Sequence, residues 1–120
     1  MDAPELTAAE RLDRMARGRE AFNRGEFFEA HELWEEVWNE SDDPERTWIQ
    51  GLIQVATALH KLGRGRDDVC EILLRKALPK LASAPTELTG VDVESARGGA
   101  KRVLDGIAAG RAPEPTSVRV

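Results

Sequence analysis

The stretch Trp48-Ile49-Gln50-Gly51-Leu52-Ile53-Gln54-Val55-Ala56-Thr57-Ala58-Leu59-His60-Lys61-Leu62 decides the fold. Its apolar residues Trp48, Ile49, Leu52, Ile53, Val55, Ala56, Leu59 and Leu62 recur at helical spacing and cover well over half of a helix circumference. A helix apolar over so wide an arc is buried on several sides, whereas a surface helix carries one stripe. The only polar strip is Gln50, Gln54, Thr57 and Lys61, read as the exposed edge of a central helix, with a cleft wall as the alternative. Gly51 lets a neighbouring helix approach closely. The helix is expected from about Pro44 to Leu62, with Asp43 as N-cap and Pro44 at its first position.

Outward from this centre, helix-period patterns continue and strand patterns are absent. A first helix is expected from Ala8 to Asn23, with Leu12, Met15 and Phe22 on one stripe and Thr7 and Glu10 spaced as a capping box. Gly25 fits the turn that follows it. A second spans about Glu26 to Glu40, its apolar stripe being Phe27, Ala30, His31, Trp34 and Trp38, opposite Glu29, Glu32, Glu36 and Glu40. Gly63-Arg64-Gly65-Arg66 is a turn, and Asp67 or Asp68 caps a fourth helix carrying Cys70, Leu73, Leu74, Ala77 and Leu81. Pro79 is expected to kink or end it. A fifth runs from about Asp92 to Ala109 on Val93, Ala96, Ala100, Val103, Leu104 and Ile107. The reading is an all-α fold. It is a compact bundle of about five helices around a buried third helix, with consecutive helices joined as antiparallel pairs. Residues 1–7 are expected to be a flexible N-terminus, 8–109 one helical domain, and 110–120 a loose C-terminal tail with little that could pack.

Length and composition agree with that reading. The chain has 120 residues, 41% apolar and 32% charged, which supports one packed domain and argues against disorder. A formal net charge of −5 disfavours nucleic-acid binding, which needs clustered Lys and Arg. No segment is long and apolar enough to span a membrane. The N-terminal residues lack the basic-then-apolar order of a signal peptide. The single Cys70 makes no internal disulfide and fits a reducing compartment, so a cytoplasmic location is expected.

Candidate chemistry centres on His31-Glu32-Leu33-Trp34-Glu35-Glu36-Val37-Trp38. His31 and Glu35, four residues apart, share a helix face. A buried carboxylate and imidazole shift each other's protonation and act as acid and base, or else serve as a satisfied pair that fixes helix register. The structural role is the expectation, with Gln54 from the central helix joining the pair in a buried network. His60 is the other histidine. A metal site from His31, Glu35 and His60 is the alternative, because two His and one Glu form a known zinc set. His31-Glu32-Leu33-Trp34-Glu35 lacks the second histidine of the His-Glu-x-x-His motif, so no metal and no other cofactor is expected. Trp34, Trp38 and Trp48 read as core anchors, and Cys70 as an inert buried thiol. Phe22 to Ala30 resembles the turn of a tetratricopeptide-type helix pair. About 34 residues on, Gly25 and Ala30 correspond to Leu59 and Arg64, so there is no second repeat.

The run Phe22 to Trp38 and the run Gln50 to Lys61 together resemble the small helical family known as domain of unknown function 309. Its pattern couples a Gly-x-aromatic-aromatic-x-x-His-Glu block to a Gln-Gly-Leu-Ile-Gln block, and the similarity runs from about Ala16 to Leu81. Gly90-Val91-Asp92 also resembles the turn that introduces the last helix of members. The resemblance implies an all-helical bundle without an established activity. It matches His31, Glu32, Glu35 and Trp38 to the first block, and Gln50, Gly51, Gln54 and His60 to the second. After His60 the chain departs from members, which often carry Asn and Gly-Ala where Arg66-Asp67-Asp68-Val69 stands here.

The residues therefore lead to two functional expectations. The favoured one is a non-enzymatic module that binds a protein or small molecule, with no nucleic acid or membrane as partner and a homodimer as an option. The alternative is a small metal-assisted hydrolase-like enzyme using Glu35 and His31.

Overall fold

A computed structural model of the chain describes residues 6–120. The expected flexible N-terminus lies mostly outside the described residues. Of the two of its residues that are described, Leu6 packs against the core and Thr7 caps the first helix.

Five helices account for most of the chain: α1 (Ala8–Asn23), α2 (Phe27–Trp38), α3 (Glu45–Gly63), α4 (Asp67–Leu81) and α5 (Val93–Ala108). α1 starts and ends where the sequence predicts. Its capping box is formed: the Glu10 amide donates to Thr7 Oγ1 at 3.1 Å and the Thr7 amide donates to Glu10 Oε1 at 2.9 Å. Only short segments join α1 to α2, α2 to α3 and α3 to α4, and each pair is in contact. Short connections between contacting helices require them to fold back antiparallel. α3 is the central element, packed by α2, α4, α5 and the closing segment. Ile49, Leu52, Ile53, Val55, Ala56, Ala58, Leu59 and Leu62 are all buried. Gly51 serves close approach as expected, because a Cβ there would meet the Leu81 side chain at 2.8 Å.

The core face of α2 is rotated from the predicted stripe. Phe27, Ala30, Leu33, Trp34 and Val37 are buried, so His31 and Trp38 fall on the margin. Of the three tryptophans only Trp34 is fully enclosed. It stacks on Phe22 with ring centroids 5.8 Å apart, and its Nε1–H donates to the Met15 carbonyl at 3.2 Å. Trp38 and Trp48, expected as core anchors, are partly exposed. Leu12 leaves the predicted stripe of α1 and is 53% exposed.

Pro79 neither ends nor shortens α4, which continues to a fully buried Leu81. Asp67 and Asp68 do not cap it. They stand in its first turn, where negative charge meets the helix dipole, and Asp68 pairs with Arg66 at 3.3 Å.

The all-α fold carries one small strand pair. Glu87–Leu88 (β1) and Val91–Asp92 (β2) form a small antiparallel hairpin. Thr89 and Gly90 both take positive φ, 47° and 88°, which is the two-residue turn that matches strand twist. Asp92 then caps α5 by accepting from the Ser95 amide at 2.9 Å.

The segment after α5, expected to be a loose tail, is packed. Pro115–Ser117 forms a 3-10 turn, after which Val118 and Val120 are 1% and 4% exposed. The Asp92 amide donates to the Val120 carbonyl at 2.9 Å, and the Val120 amide donates to Asn23 Oδ1 at 2.8 Å. Valines two apart in extended chain point to one side, so two residues suffice to bind the segment to the core.

Candidate functional site

α2 and α3 run side by side, and their shared edge carries both histidines. His31 Nε2 lies 3.2 Å from Glu35 Oε2, so the one-turn contact forms. It is not the buried pair expected: the side chains are 26% and 49% exposed. The reason is the rotated core face of α2, which leaves Glu35 in water and His31 on the margin. Gln54 does not join them. Among the described residues its Oε1 is buried with no hydrogen-bond partner, as is His31 Nδ1. Gln50 is half-buried on the same helix.

Both histidines stand beside one aromatic ring. The Phe28 ring stands 5.7 Å from His31 and 5.7 Å from His60, measured between ring centroids. Phe28 itself is 55% exposed. Phe28, His31, Thr57, His60 and Lys61 line a cleft of about 150 Å³. The Thr57 hydroxyl donates to the Ile53 carbonyl at 3.0 Å, so toward the cleft it only accepts. Burial holds the His60 imidazolium below its ordinary pKa, and Arg64, Lys61 and His31 push it the same way. Of the polar row expected on α3, Thr57 and Lys61 form a cleft wall, while Gln50 and Gln54 do not line it.

Glu29, Glu32, Glu35, Glu36 and Asn39 flank an open depression of about 520 Å³ along the outer face of α2. Glu36 reaches Arg14 at 3.5 Å and Glu29 reaches Arg24 at 3.6 Å, tying this face to α1 and to the turn after it. Glu32 is exposed, as a solvated charge. Trp38 lies beneath the Arg46 guanidinium, 3.7 Å from its ring centroid, and Arg46 Nη1 donates to the Trp38 carbonyl at 3.0 Å. That stack holds the turn between α2 and α3. Among the described residues no three His, Cys, Asp or Glu side chains are arranged to hold a metal ion. His31, Glu35 and His60 are therefore not assembled as ligands, and an aromatic ring is what both imidazoles share. Cys70 is buried, and desolvation, with Asp67 and Glu71 adding to it, pushes its thiol up to about 11.

Phe28 is the cleft residue that sequence reasoning did not select. The signal was present: Phe28 falls off the apolar stripe of its helix, and an off-stripe aromatic is an exposed one.

The chain is thus a small all-helical protein of antiparallel helix pairs with a histidine-flanked cleft between the second and third helices. Residues 15–73 match the family model described as Domain of unknown function (DUF309), and the chain belongs to that family. The match contains α2, α3 and every residue of the cleft. A protein of Aquifex aeolicus (strain VF5), described as an uncharacterized protein, is 33% identical over 95 residues. The aligned region takes in 78% of this chain but spans only 28% of that relative's length. No helix among the described residues is long and apolar enough to cross a membrane.

Proposed function

We propose that this protein is a binding module whose recognition site is the α2–α3 cleft, and that its ligand is a small molecule. The observation that carries this reading is Phe28, more than half exposed with both of the chain's histidines beside its ring. An apolar ring in water at the mouth of a cleft, with a few polar groups around it, is the composition of ligand sites in general. Catalysis has less support. The His31 nitrogen not engaged by Glu35 is buried, so it is not offered to a reactant as a base. The metal-assisted alternative lacks a converging ligand set among the described residues. The reading also takes the protein as cytoplasmic, supported by a free, buried and unreactive Cys70.

The test is a fragment screen followed by backbone and side-chain NMR. Hits are expected to perturb Phe28, His31, Thr57, His60 and Lys61 together, and Phe28→Ala is expected to abolish those shifts. Hits that converge on another surface would remove the reading.

A further inference from the structure

The charges around the cleft are unevenly matched, and that imbalance defines what it can hold. On the α2 side, Glu35 is engaged by His31 at 3.2 Å. On the α3 side, Lys61 and Arg64 make no ion pair among the described residues, although acids outnumber bases in the chain as a whole. Burial lowers the His60 pKa most, and the charges of Arg64, Lys61 and His31 lower it further. Thr57 presents only an acceptor. Lys61 is then the permanent cation that lines the cleft, and neutral His60 adds one ring N–H. Phe28 supplies an apolar face, and a volume of about 150 Å³ is the size that accepts a benzene ring.

From this arrangement we infer that the cleft takes a small aromatic anion, with the ring against Phe28 and the carboxylate or phosphate on Lys61 and His60. The inference rests on the binding reading above and adds the sign of the ligand. A bound anion offsets the positive surroundings of His60, so occupancy and His60 protonation are linked: each favours the other.

The experiment uses four single-ring probes on the full chain: benzoate, phenyl phosphate, benzyl alcohol and benzylamine. Binding is followed by NMR at Phe28, His60 and Lys61. Benzoate or phenyl phosphate is expected to bind there, and whichever is tighter identifies the anionic group. Lys61→Gln is expected to weaken that binding by about ten-fold or more, the worth of one charge-assisted hydrogen bond. Saturation with the anion is expected to raise the His60 titration midpoint. Benzyl alcohol or benzylamine binding in the cleft as tightly as the tighter of the two anions would overturn the inference while leaving the binding reading intact. So would a Lys61→Gln variant that folds and binds benzoate unchanged. Probes that bind only elsewhere, together with a fragment screen that avoids the cleft, would overturn both.

Discussion

Trp34 lies directly against Gly18: a Cβ added at position 18 would collide with the indole around its Nε1. The bare backbone of α1 lets the ring enter the core, and the neighbouring Met15 carbonyl receives its N–H at 3.2 Å. The contact ties α1 to α2 at the largest side chain of the core. Gly18→Ala should normally favour a helix, because Ala has the higher propensity. Here it is expected to destabilise by about 1–3 kcal/mol through overpacking. Denaturant unfolding measures it, and a variant as stable as the parent would refute the close packing.

The His31–Glu35 pair is expected to contribute little to stability. Were it buried, removing one partner would cost about 3–5 kcal/mol. Half-exposed as it is, Glu35→Gln should cost no more than about 1 kcal/mol. A thermal melt distinguishes the two, and a large loss would return the pair to the core.

His60 makes stability depend on pH with a definite sign. Burial and the positive groups around it hold its folded pKa below 6.5, so the unfolded chain binds the proton more readily. Stability from the neutral ring is full above about pH 7 and declines as pH falls through 6.5 toward the lower folded value. His60→Gln is expected to flatten the stability profile between about pH 7 and pH 5. The comparison is made on urea midpoints across that range, and parallel profiles would contradict it.

The closing segment should behave as part of the domain. Deleting Val118–Val120 removes two buried side chains and the hydrogen bonds to Asn23 and Asp92. A loss of about 3–6 kcal/mol is expected from burial alone at about 1.5–3 kcal/mol per side chain. Asn23→Ala should cost about 1 kcal/mol. Proteolysis that trims these residues from the native protein without lowering its melting temperature would show that they do not hold the core.

Cys70 is expected to resist thiol reagents at neutral pH. Its thiol is buried and held up to about 11, so the reactive thiolate is scarce in the folded state. Labelling should follow unfolding, and rapid modification of the native protein would contradict its enclosure.

Much of this architecture was legible along the chain. The wide apolar arc of α3, the capping box at Thr7 and Glu10, and the use of Gly51 for close helix approach are local patterns, and each is realised. The misreadings share a cause. Calling His31 and Trp38 core required the angle at which α2 meets its neighbours, and one residue along a helix turns the face by about 100°. Val118 and Val120 carry no periodicity, so their burial depends on a surface that exists only once α1 and α5 have folded. The hairpin at Thr89-Gly90 is too short for alternation to register.

The sequence by itself determined a five-helix all-α domain around a buried third helix, because apolar spacing and end-capping are written within each helix. It also marked His31, Glu35, Gln54 and His60 as residues to explain. Only the tertiary structure decided that Glu35 faces water, that Gln54 stands apart, and that Phe28 joins the two histidines at a cleft with Lys61. Those outcomes depend on how far each helix is rotated against the next, a quantity set by packing between segments distant in the chain.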